Sequence, residues 1–125
     1  MENGYKVIIA DDHPIVRKGL KEIVEEISEV LSVDEAEDGY ILIDKAAEHD
    51  YDLIILDVSM PGMSGLELLK NIKEDADTEK IPVIVVTADK TMEVVDEAFL
   101  NGADDFIVKP FEKAELIESV ERFIG

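Results

Sequence analysis

Residues 53–57, Leu53-Ile54-Ile55-Leu56-Asp57, set four apolar residues against one carboxylate, and the same arrangement recurs three more times along the chain. Val7-Ile8-Ile9-Ala10 runs into Asp11-Asp12, Val83-Ile84-Val85-Val86 into Thr87, and Phe106-Ile107-Val108 into Lys109-Pro110. Short runs of Val, Ile and Leu without polar alternation suit strands covered on both faces, as in a parallel sheet. The carboxyl ends of parallel strands share one edge, so residues distant in sequence meet in a crevice there. The pattern predicts that three carboxylates, a hydroxyl and an ammonium converge.

Five apolar runs alternate with longer amphipathic segments, the pattern of repeated strand-helix units. It predicts an α/β fold, a doubly wound (βα)5 domain over residues 1–125 with a five-stranded parallel sheet. Strands are expected near Lys6 to Ala10, Leu31 to Ala36, Leu53 to Leu56, Val83 to Val86 and Asp105 to Val108. Helices are expected near Pro14 to Val30, Gly39 to His49, Gly65 to Asp75, Thr91 to Asn101 and Lys113 to Phe123. Val16, Leu20, Ile23, Val24 and Ile27 recur at helical spacing and form a core stripe for the first helix. Leu42, Ile43, Ala46 and Ala47 form one for the second, which leaves Tyr40 and Ile41 as an exposed apolar pair or a contact site. Gly102 suits a helix stop, and Pro82 fixes entry into the fourth strand.

A length of 125 residues fits one domain with a real core. Twelve basic residues against 31 acidic ones give a net charge of -19, carried mainly by the expected helices and loops. Such a field repels phosphate backbones and anionic lipid, which disfavours direct nucleic-acid or membrane binding and favours cations and basic partner surfaces. The absence of cysteine excludes disulfides and thiolate chemistry. Residues 1–5 carry no apolar stretch of signal-peptide length, and no run approaches the roughly 20 residues of a bilayer span. The chain reads as soluble and cytoplasmic. It stops just after the fifth helix, as a stand-alone domain or one cut from a larger protein would.

Carboxylates held ~4 Å apart repel by about 4 kcal/mol at an effective dielectric near 20, so the cluster of Asp11, Asp12 and Asp57 calls for a compensating cation. An all-oxygen, water-rich site with few protein ligands suits Mg²⁺, and Lys109 adds a fixed charge. A carboxylate beside a metal can act as a nucleophile toward phosphorus. Phosphoryl transfer needs in-line positioning and neutralised oxygens, which a cation on one side, Lys109 on the other and the Thr87 hydroxyl would provide. These parts match phosphorylation of Asp57.

Taken together, Asp11-Asp12, Asp57 with Met60-Pro61-Gly62 and Gly65, Thr87-Ala88, Gly102-Ala103-Asp104 and Lys109-Pro110-Phe111 resemble a receiver domain of bacterial two-component response regulators, CheY-like, over essentially the full length. The resemblance implies strand order 2-1-3-4-5, a cis Lys109-Pro110 bond, and transfer to Asp57 from a phosphohistidine on a sensor histidine kinase or histidine phosphotransfer domain. It implies that the side chains of Asp12 and Asp57 and the backbone carbonyl of Ser59 ligate Mg²⁺, with Asp11 acting mainly through water. It further implies that Thr87 and Phe106 form a switch that biases a surface of the fourth helix, fifth strand and fifth helix, where a downstream partner or output domain binds. A monomer or a weak phosphorylation-dependent dimer is expected.

Arg17, Lys18 and Lys21 either balance Glu22, Glu25 and Glu26 on a solvated face or guide a docking kinase domain, together with the off-stripe Ile15. His13 opens the first helix or faces solvent, since no second histidine lies at ligand spacing. Ser59 and Asp89 flank the phosphoryl path. The motif Asp12-His13-Pro14-Ile15-Val16-Arg17 resembles receivers with helix-turn-helix outputs, while Lys80-Ile81-Pro82-Val83-Ile84 and Lys109-Pro110-Phe111 resemble other receiver groups. Two rivals are weaker. A dehalogenase-type phosphatase needs a second Asp where Ser59 stands, and a pseudo-receiver, a phosphorylation-independent interaction module, has no need of the complete set of site residues.

Overall fold

The computed structural model describes residues 4–58 and 64–124. Strands β1 (Tyr5–Ala10), β2 (Val30–Ala36), β3 (Leu53–Leu56), β4 (Val83–Thr87) and β5 (Asp105–Val108) alternate with helices α1 (Pro14–Glu25), α2 (Gly39–Glu48), α3 (Gly65–Glu74), α4 (Met92–Leu100) and α5 (Lys113–Ile124). All strand pairs are parallel, in the order β2-β1-β3-β4-β5. The expected fold class and strand order are both observed.

Alternate residues of each strand feed two cores. Ile8, Ala10, Ile54, Leu56, Val83 and Val85 pack with Leu42, Leu68, Leu69, Ile72 and Ala98 from α2, α3 and α4. Val7, Ile9, Leu53, Ile55, Ile84, Val86 and Ile107 pack with Leu20, Val24, Leu116, Val120 and Ile124 from α1 and α5. The middle strands are buried on both faces, which is why their sequences show no polar alternation. Helix starts follow local chemistry: Pro14 begins α1, and the side chains of Asp38, Ser64 and Thr91 accept bonds from the Ile41, Leu66 and Val94 amides.

Three local expectations are corrected. Helix α1 ends at Glu25 and not at Val30. The Glu26 amide bonds to the Ile23 and Val24 carbonyls and the Ile27 amide to Val24, a tightened last turn that keeps Ile27 in the core and frees Val30 to pair with Tyr5. Val16, placed in the core stripe, is 36% exposed in the first turn of α1. In α2 only Leu42 of the expected stripe is buried, because Ile43, Ala46 and Ala47 line an open cleft with Asn71, Ile72 and Thr78.

Candidate functional site

Ala10 pairs with both Ala36 and Leu56, so β1 and β3 run out level and Asp11 and Asp57 leave the sheet side by side. Their amides continue the ladder for one step, Asp11 to the Ala36 carbonyl at 3.1 Å and Asp57 to the Ala10 carbonyl at 2.9 Å. Thr87 closes β4 opposite Val108, and the Lys109 amide bonds to the Thr87 carbonyl at 2.8 Å. Three of the five buried polar side chains among the described residues, Asp11, Asp57 and Thr87, lie at this one edge. Burying carboxylates is costly unless they are paired, so the edge concentrates the unfavourable electrostatics of the fold.

Lys109 Nζ lies 3.1 Å from Asp11 Oδ2 and 3.4 Å from Asp57 Oδ2, and its bond to Pro110 is cis. Asp11 Oδ1 accepts the His13 amide at 2.9 Å. Asp12 is different. Its Oδ1 is sealed from solvent with no hydrogen-bond partner among the described residues; His13 Nδ1 stands 3.0 Å away, outside hydrogen-bonding geometry, on the solvent-exposed ring of the residue that caps α1. One ligand atom each from Asp11, Asp12, His13 and Asp57 lies within 4.8 Å of the others. Among the described residues three carboxylates against the one ammonium leave two negative charges, and a sealed oxygen that receives no hydrogen bond from them is a favourable place for a cation. The hard oxygen donors fit a divalent cation of the Mg²⁺ class.

The Thr87 hydroxyl accepts the Asp89 amide at 3.2 Å, while the Asp89 carboxylate turns to the Thr91 amide at 3.0 Å. Thr87 and Phe106 share a sheet face, since Phe106 pairs with Val85 two residues before Thr87. Phe106 is half-buried against the α2–α4 core and meets the Phe99 ring at a 6.4 Å centroid distance. Ser59 lies outside the described residues. Gly65 is held tightly against β3's continuation: a Cβ there would lie 2.2 Å from Val58 Cα.

The basic face of α1 is divided. Ile15 is 88% exposed and Lys18 is exposed, but Arg17 is folded inward, its Nε donating to Glu35 Oε1 at 2.9 Å and its Nη1 to the Asp11 carbonyl at 2.7 Å. Lys21 Nζ reaches Glu35 Oε2 at 3.4 Å, and Lys45 Nζ bonds the Glu35 carbonyl at 2.6 Å. The Arg17 hydrogen bond, opposed by burial and reinforced by Lys21, holds the Glu35 carboxyl below the usual carboxylate range. Sequence reasoning missed Glu35, which is one acid in the run Asp34-Glu35-Ala36-Glu37-Asp38 and is distinguished only by its place at the end of β2.

The response regulator receiver domain family matches residues 7–121, across all five strands. The chain belongs to that family. Chemotaxis protein CheY-3 of Vibrio cholerae is 33% identical over 122 residues, covering 98% of this receiver and 93% of that protein. The glycerol metabolism activator of Pseudomonas putida is 36% identical over 97% of the receiver and 54% of its own length. Among solved structures, chemotaxis protein CheY4 of Vibrio cholerae superposes with a TM-score of 0.88 at 28% identity, covering 97% of the receiver and 99% of that chain. The receiver is thus a phosphoacceptor signalling domain of His-Asp phosphorelays and not an enzyme. Among the described residues no helix is long and apolar enough to cross a membrane.

Proposed function

We propose that Asp57 is the phosphoacceptor of this receiver and takes its phosphoryl group from a phosphohistidine on a sensor kinase or histidine phosphotransfer domain. The observation that carries this reading is Lys109 Nζ bridging the buried carboxylates of Asp11 and Asp57 beside Asp12 Oδ1, which receives no hydrogen bond among the described residues. An Asp57 oxygen forms a bond to phosphorus as the P–N bond breaks, and the electron pair remains on the donor imidazole. Asp12, Asp57 and the Ser59 carbonyl would hold Mg²⁺, with Asp11 acting through water. When bound, the ion supplies charge neutralisation for the phosphoryl oxygens. Lys109 is placed to neutralise a second oxygen, and the Thr87 hydroxyl to donate to a third once it gives up its present orientation.

That reorientation is the signal. Drawing the Thr87 hydroxyl toward the edge opens space on the sheet face it shares with Phe106, and Phe106 turns into that space from its present contact with Phe99, altering the surface of α4, β5 and α5 where a downstream partner docks. At the start of α1 Ile15 offers an apolar contact to the phosphodonor domain, with the exposed Lys18 beside it and Arg17 and Lys21 as positive charge behind it. Charge reversal at Lys18 should slow transfer from the phosphohistidine donor and leave labelling by acetyl phosphate intact. Equal loss with both donors would remove Lys18 from docking.

The phosphoacceptor reading is tested by amide spectra in Mg²⁺ with and without beryllofluoride. Shifts are expected at the sheet edge and on α4, β5 and α5, and these are lost in Asp57→Asn. An unchanged spectrum in the wild type overturns the reading.

A further inference from the structure

The Asp11–Asp12 peptide lies where β1 has run out of ladder. The last register pair joining β1 to β2 is Ala10–Ala36, and the Asp11 amide is satisfied by Ala36, but its carbonyl takes its bond from a side chain, Arg17 Nη1 at 2.7 Å. The same guanidinium is fixed from its other side by Glu35 at 2.9 Å, and Glu35 is itself tied by Lys21 through its carboxylate and by Lys45 through its carbonyl. A planar fork anchored at two points holds a direction as well as a distance, which a flexible ammonium does not.

Beside Asp12 Oδ1 stands His13 Nδ1, 3.0 Å away but outside hydrogen-bonding geometry. That oxygen receives no hydrogen bond from the described residues, so the direction in which it points is set mainly by the backbone that carries it. The peptide immediately before it is the one Arg17 grips. We infer that Arg17 is a positioning residue of the phosphoacceptor site, turning the Asp11–Asp12 peptide so that Asp12 presents its free oxygen to the cation, with Glu35 as the anchor of that grip. The inference rests on the proposed Mg²⁺-dependent role of the site. It gives Arg17 a role beyond its charge: Lys18 is exposed to solvent, whereas Arg17 is folded inward onto Glu35 and the Asp11 carbonyl.

The test is Mg²⁺ affinity, measured by calorimetry on wild type, Arg17→Ala, Arg17→Lys, Glu35→Gln and Lys80→Ala. Lys80 is exposed, and Lys80→Ala makes the same change in net charge as Arg17→Ala. Groups that orient a metal ligand are worth ~10–100-fold in affinity, so Arg17→Ala should bind Mg²⁺ at least about tenfold more weakly. Lys80→Ala should stay within about twofold of wild type, since an exposed charge is screened. Arg17→Lys, which keeps the charge but cannot hold both acceptors, recovers part of the loss, and Glu35→Gln shows a smaller loss in the same direction. Saturating Mg²⁺ restores the acetyl phosphate labelling rate of Arg17→Ala, which a merely misfolded variant would not show. Affinity of Arg17→Ala equal to that of Lys80→Ala overturns the inference. If Arg17→Ala does not fold, unchanged affinity in Glu35→Gln overturns it instead. A wild type that binds no Mg²⁺ overturns the underlying functional reading, a distinct outcome.

Discussion

Replacing Gly65 with alanine tests how tightly the acceptor strand is built into its following helix. Gly65 opens α3, its amide bonds to the Val58 carbonyl at 3.3 Å, and Val58 directly follows Asp57. A Cβ on Gly65 would lie 2.2 Å from Val58 Cα and 2.8 Å from both Val58 C and Val58 Cβ. Carbon atoms sit comfortably at about 3.5–4.0 Å, so the overlap exceeds an ångström and falls on backbone that cannot rotate away. Overpacking of this kind costs about 3 kcal/mol, at the upper end of its ordinary range. The gain in unfolded-state entropy from Gly→Ala returns at most about 1 kcal/mol. A net loss of about 2 kcal/mol lowers Tm by roughly 8 °C for a chain of this size. Because the clash pushes on the residue after Asp57, a shift of that scale should also slow acetyl phosphate labelling by about 100-fold. Urea denaturation and a labelling time course check both effects. A variant with wild-type midpoint and labelling rate would refute the close packing of Val58 on Gly65.

Phe106→Tyr should show larger beryllofluoride-induced amide shifts on α4, β5 and α5 than wild type, because the phenyl ring already packs half-buried beside Phe99 whereas a phenol is drawn outward by its hydroxyl; equal shifts would refute this. Tyr51→Phe removes a 2.6 Å hydrogen bond from a buried hydroxyl to Asp34 Oδ2 and should cost about 1–2 kcal/mol in denaturant titration. Burial, then Asp34, also pushes the Tyr51 phenol well above its ordinary value, so absorbance titration should leave one of the three tyrosines un-ionised at alkaline pH. Glu35 has a lowered pKa in the fold, so its stabilising contribution is present above the ordinary value of 4.5 and is lost as pH falls through the folded value. Glu35→Gln should therefore flatten the fall of the urea midpoint in that acid range; an unchanged slope would show that its pairing with Arg17 adds nothing.

Sequence was most informative where one physical cause dominates. The sheet was legible because residues buried on both faces leave uninterrupted apolar runs, and the site because Asp11, Asp57, Thr87 and Lys109 punctuate the ends of those runs. The end of α1 was not, because Ile27 continues the helical spacing while reaching the core from a tightened turn. Ile43 and Ala47 read as core by spacing, yet whether α3 closes over them depends on the packing angle of two helices. The inward turn of Arg17 was hidden for a further reason. Its partner Glu35 is 18 residues away and is one of 31 acids, so no local pattern marks it.

The decisive observation is where a phosphoryl group attaches. Incubation with acetyl phosphate and Mg²⁺, followed by peptide mapping by mass spectrometry, should place a single added phosphoryl on the peptide containing Asp57, with none in Asp57→Asn and none when the metal is chelated. Labelling at another residue, labelling that survives in Asp57→Asn, or none in the wild type would contradict it.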